Sequence, residues 1–103
     1  MFAFLLFVGI VNAQIEVIQY NAGWNSANDV EWTEELTDCE IDYVDIMEKS
    51  KQQEKHNIAV VPTIIIFDEG EEVKRYQADI SFSIKATKEE LQEFIDEIIA
   101  NKF

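Results

Sequence analysis

Hydrophobic and polar positions along this chain change period several times, and each change marks an element. Residues 15–20 are rich in β-forming side chains and predict a strand. Residues 21–25 follow as a turn. Residues 26–36 then read as a short helix, with Ser26 as its N-cap and Asp29 in its first turn. Residues 40–45 predict a second strand. Asp45 and Glu48 have the spacing of a capping box for a polar helix over residues 47–56. Residues 63–67 form a continuous apolar run rich in β-branched side chains, the mark of a strand buried on both faces. Asp68-Glu69-Gly70-Glu71 reads as a hairpin turn, with Gly70 free to take positive φ, and residues 73–77 return as an antiparallel strand. Ile80, Phe82 and Ile84 alternate with Ser81, Ser83 and Lys85, a period-2 signal for an extended edge strand or β-loop. Thr87 and Glu90 can cap a last helix over residues 89–101, where Leu91, Phe94, Ile95, Ile98 and Ile99 recur at helical spacing. The order β-α-β-α-β-β-α places a mixed central sheet between helices, an α/β architecture.

The N-terminal segment has a different character. Residues 2–11 are apolar, with Gly9 the one break in the run of larger side chains, and Asn12-Ala13-Gln14 ends them. This resembles the hydrophobic core of a secretory signal with cleavage before Gln14. It divides the chain into a hydrophobic segment, 1–13, and a folded domain, 14–103. Export to a periplasmic or extracellular site follows if the segment is a signal peptide. No basic residue precedes the apolar run, and a hydrophobic strand or helix buried in the domain is the other reading. The run is too short to cross a bilayer as a helix, so no stable membrane span is expected.

A length of 103 residues allows one domain with one modest core. A hydrophobic content of 48% is ordinary for a globular protein and argues against disorder. The net charge is −13, from 21 acidic and 8 basic residues, so a polyanion such as nucleic acid would be repelled. Solubility accounts for such acidity in the ordinary case; a basic protein partner is the sharper reading. The one cysteine, Cys39, cannot form an internal disulfide and reads as a small strand-edge residue. His56, the one histidine, follows Lys55 in a polar stretch and reads as a solvated helix end. There is no metal-ligand spacing, no Gly-rich phosphate loop and no nucleophile elbow, so no cofactor is expected.

The stretch Tyr20-Asn21-Ala22-Gly23-Trp24-Asn25-Ser26-Ala27-Asn28 resembles a thioredoxin active-site turn without its cysteines. Val61-Pro62-Thr63, the apolar run after it and Asp68-Glu69-Gly70 are similar to the thioredoxin segment that carries a cis-proline, a central strand and its hairpin. The pattern of the last helix agrees. The resemblance implies a thioredoxin-like fold over residues 15–102, with the usual first strand and helix absent or replaced by residues 1–14. It implies a degenerate active-site turn of Trp24, Asn25, Ser26, Ala27 and Asn28. In that family a thiolate at a helix N-terminus attacks a disulfide, and a second thiol resolves the mixed disulfide. Asn25 and Asn28 stand in the two cysteine positions, and Gln19 stands where the family has a buried carboxylate. No amide can be the nucleophile, so a redox-inactive domain is expected.

What remains in the resemblance is a recognition surface. The residue before the cis-proline pairs with an extended peptide in the family, which implies peptide binding by Val61, Pro62 and Trp24. Retention of Pro62 and Trp24 for folding alone is the plainer reading, and Trp32 reads as helix packing against the sheet. The leading expectation is a protein-binding module for a protein or extended peptide. One alternative is a structural component of a larger assembly, such as a virion or secretion complex, in which residues 2–11 and 80–84 would be contacts. The other is a single-thiol redox protein using Cys39.

Overall fold

A computed structural model describes residues 14–102; the segment 1–13, and with it the expected signal peptide and domain boundary, lies outside the described residues. Four strands, β1 (Ile15–Asn21), β2 (Glu40–Asp45), β3 (Thr63–Asp68) and β4 (Glu71–Gln77), form one sheet in the order β2-β1-β3-β4. β1 runs parallel to β2 and antiparallel to β3, and β3 pairs antiparallel with β4. The mixed sheet and flanking helices are the architecture the hydrophobic pattern predicts.

β3 explains why the sheet is covered on both sides. Its side chains alternate across the pleat. Ile64 and Ile66 join Ile15, Val17, Leu36, Leu91 and Ile95 in one buried cluster. Ile65 and Phe67 join Tyr20, Ala22, Ile46, Ile58 and Val61 in a second. A fully buried Ile or Leu contributes about 1.5–3 kcal/mol, so these clusters dominate the fold's stability. Helix α2 (Lys88–Ala100), numbered after the shorter α1 (Ser50–Lys55), closes the first cluster with Leu91 and Ile95. It starts with the expected reciprocal cap. The Glu90 N–H donates to Thr87 Oγ1 at 3.2 Å, and the Thr87 N–H donates to Glu90 Oε1 at 3.1 Å. At the β3–β4 hairpin Glu69 and Gly70 have φ of 54° and 84°. Positive φ at both central residues matches the right-handed strand twist.

Besides the segment after β1, two expected elements differ. The helix expected over 47–56 is shortened to α1, and no Asp45–Glu48 capping box forms. Asp45 is still paired within β2, and its carboxylate instead accepts from the Met47 N–H at 2.9 Å, closing a turn. Of the edge strand or β-loop expected over Ile80–Ile84, no strand forms and the segment is a loop. Asp79 Oδ1 accepts from the Ser81 N–H at 2.8 Å, the Phe82 N–H donates to Asp79 O at 3.0 Å, and Phe82 has φ of 60°. These local bonds compete with strand pairing and win. Of the three alternating apolar residues, only Ile84 packs on the core.

Candidate functional site

The turn expected to be a degenerate site follows the C-terminal end of β1, where Asn21 closes the strand and is fully buried. Its Nδ2 donates to Asn25 O at 3.2 Å and to Asp29 Oδ1 at 2.6 Å. Asn25, 5% exposed, is the hub. Its Nδ2 faces three acceptors: Asn21 Oδ1 at 3.1 Å, Phe82 O at 3.3 Å and Val61 O at 3.4 Å. Its Oδ1 accepts from Asn28 Nδ2 at 2.9 Å. Position 25 thus holds an amide whose polar atoms are all engaged inside the protein. The sequence did not single out Asn21 and Asp29 for this network. A run of Asn and Asp around a strand end was the available signal.

The helix expected over residues 26–36 does not form. Two 3-10 segments, Gly23–Asn28 and Glu31–Glu35, replace it, and Ser26 lies inside the first rather than capping it. Gln19 supplies the reason. Its Nε2 donates to Val30 O at 2.9 Å, and its Oε1 accepts from the Val30 N–H at 2.7 Å. This buried side chain occupies both backbone groups of Val30, which a continuous helix would need for its own ladder. Asp29 adds to the break, since Oδ1 also accepts from the Tyr43 hydroxyl at 2.9 Å. With no α-helix starting at the turn, no helix dipole is available to stabilise an anion at position 25. Trp32 packs beside the first core cluster, as expected.

The Val61–Pro62 bond is cis, and both residues are buried beneath the turn. The Val61 carbonyl faces Asn25, and the Pro62 carbonyl accepts from the Ala78 N–H at 3.1 Å. Above them, the rings of Trp24 and Phe82 meet edge to face with centroids 5.5 Å apart. Trp24 is 63% exposed and Phe82 47%. Of the three residues expected to contact a peptide, Trp24 offers a free face, while Val61 and Pro62 form a covered floor. Phe82 and its neighbour Ile80 were expected as contacts in the larger-assembly reading alone; the period-2 pattern pointed to an edge strand or β-loop rather than to this site.

The remaining candidates fall away from this site. Cys39 is half-buried, and burial, then the Asp38 carboxylate, pushes its thiol up to about 11. The β1–β2 register sets Glu40 opposite Glu16, so Cys39 lies level with Ile15, roughly 20 Å along the strand from the turn at 3.3 Å per residue. His56 ends α1 as its C-cap, as expected, but is half-buried rather than solvated. Its ring lies 5.7 Å from that of Tyr20 and 5.3 Å from that of Phe67. Burial, then Lys55 and Arg75, lowers its pKa. A cleft of about 640 Å³ beside the turn is lined by Gln19, Ser26, Tyr43 and the carboxylates Asp29, Glu31, Glu34 and Asp42. Among the described residues no group of His, Cys, Asp and Glu could hold a metal ion, and no helix is long and apolar enough to cross a membrane.

The fold is thioredoxin-like, and the chain has one cysteine and therefore no Cys-x-x-Cys pair. The similarity is to solved thioredoxins. A mutant thioredoxin from Halobacterium salinarum is 19% identical with a TM-score of 0.66, covering 85% of this chain and 77% of its own. Thioredoxin from Schistosoma mansoni is 19% identical with a TM-score of 0.64, over 92% and 86%. Thioredoxin from Plasmodium falciparum is 22% identical with a TM-score of 0.63, over 88% and 89%. No protein-family model and no curated protein sequence matches the chain.

Proposed function

We propose that this chain is a redox-inactive thioredoxin-like domain that acts as a protein-binding module, with Trp24 as a contact residue over the floor of Val61 and Pro62. The observation that carries this reading is the Asn25 amide, which stands at the place of the attacking thiolate and spends its polar atoms on Asn21, Asn28, Val61 and Phe82. Dithiol exchange requires a thiolate there. The surface around the amide still presents a large aromatic ring to solvent, and such rings anchor protein contacts.

A photo-crosslinking residue placed at Trp24 tests the binding function in the native host. Discrete adducts are expected from position 24 and not from the exposed Glu93 on α2. Equal labelling from both positions, or none from position 24, would contradict it.

A further inference from the structure

Floor and roof of the degenerate site differ in exposure. Asn25, Val61 and Pro62 are covered, while Trp24 and Phe82 meet above them at 5.5 Å and stay open to solvent on their outer side. The loop that brings Phe82 across also displays Ile80, which is 98% exposed. That display is fixed by local bonds. Asp79 Oδ1 accepts from the Ser81 N–H and hydroxyl, the Asp79 N–H donates to Ser83 O at 3.2 Å, and Lys85 Nζ sits 3.7 Å from Asp79 Oδ2. An ordered turn that holds a bare isoleucine two residues before Phe82 presents an apolar side chain rather than fraying.

We infer that Trp24, Phe82 and Ile80 form a docking surface for a protein segment that carries a large apolar side chain between lysine or arginine residues, held by side-chain contacts rather than by strand pairing at the cis-proline. The inference rests on the binding-module reading and names the partner's chemistry. The apolar centre follows from the three exposed side chains. The basic flanks follow from charge complementarity. Asp29 bonds the turn through Asn21, and Asp45 Oδ2 lies 3.6 Å from where a Cβ on Gly23 would stand; Asp79, already paired with Lys85, adds no free charge. A second copy of the chain fits poorly, because two surfaces from molecules of net charge −13 repel. Strand pairing is disfavoured because the Val61 carbonyl faces the Asn25 amide and the floor is covered.

Fluorescence anisotropy with the full chain and three labelled peptides tests this. Each peptide has a Phe-Leu centre, flanked on both sides by two lysines, two serines or two glutamates. The lysine-flanked peptide is expected to bind tightest and to weaken with added salt, and the glutamate-flanked one not to bind. Ile80→Asp, an exposed position that the fold does not need, should weaken binding at least about tenfold, as loss of a contact anchor does. Phe82→Ala should weaken it as well. Equal binding of the serine and lysine peptides, no binding by any peptide, or indifference to both substitutions overturns the inference. So does concentration-dependent self-association abolished by Ile80→Asp, which would assign the surface to a second copy, or binding to anionic vesicles in place of peptide. Adducts from the crosslinker at position 24 would persist if only this inference were wrong; their absence is what fails the binding reading itself.

Discussion

At the residue scale, Asn25 is a structural hub. Its amide ties the turn, the cis-proline segment and the Phe82 loop together from one buried point. Asn25→Ala leaves Asn28 Nδ2 and three acceptors without that partner. Buried groups stripped of a hydrogen bond cost about 1–3 kcal/mol, and urea denaturation should show a loss of that size. His56 makes a prediction about pH. Its folded pKa lies below the ordinary 6.5, through burial first and then Lys55 and Arg75, with Glu72 opposing. The folded state therefore binds fewer protons than the unfolded one near that pH. Stability is full above about 6.5 and falls as pH drops through it toward the folded value. Denaturation midpoints across this window should decline in the wild type. The decline should be shallower in His56→Phe, which keeps an aromatic ring beside Tyr20 and Phe67; equal slopes would contradict the assignment. His56 was misread from sequence because Lys55 and Asn57 are polar neighbours, whereas its environment is set by Tyr20 and Phe67, distant in sequence.

At the element scale, the strands and α2 were legible because their signals are local. β3 announces itself by five apolar or β-branched residues in a row, and α2 by its capping pair and 3.6-residue spacing. The helix after β1 was illegible because Gln19, eleven residues away, decides Val30 through a side-chain bond that no window reveals. The 3-10 geometry that results has a consequence. Although the backbone kinks at Asn25, the Asn25 and Asn28 side chains already touch at 2.9 Å. Asn25→Cys with Asn28→Cys should therefore close an intramolecular disulfide on mild oxidation, readable as the loss of two titratable thiols. The first thiol should not become a fast nucleophile at neutral pH, because no α-helix dipole supports it and Asp29 stands nearby. A double variant that folds but cannot be oxidised would show that the turn is not a disarmed dithiol site. A rapid, low-pKa thiol would show that the helix break is unimportant.

At the scale of the whole molecule, the fold was readable from the order of elements, and the absence of a dithiol from a single cysteine count. The site's present form was not. Trp24 and Phe82 are brought together by a loop whose alternating pattern reads as an edge strand or β-loop, and the bonds of Asp79 to Ser81, Phe82 and Ser83 turn it aside. The acidic surface, at net −13, limits the classes of partner but does not reach the chemistry at the turn. That chemistry is the central claim, and reduction of insulin by the wild-type chain in the presence of dithiothreitol tests it most directly. Turbidity should develop no faster than in the protein-free blank, since Asn25 offers no thiolate and Cys39, with its thiol at about 11, is scarcely ionised at neutral pH. A rate above the blank that disappears in Cys39→Ser would contradict the account and make this a single-thiol redox protein.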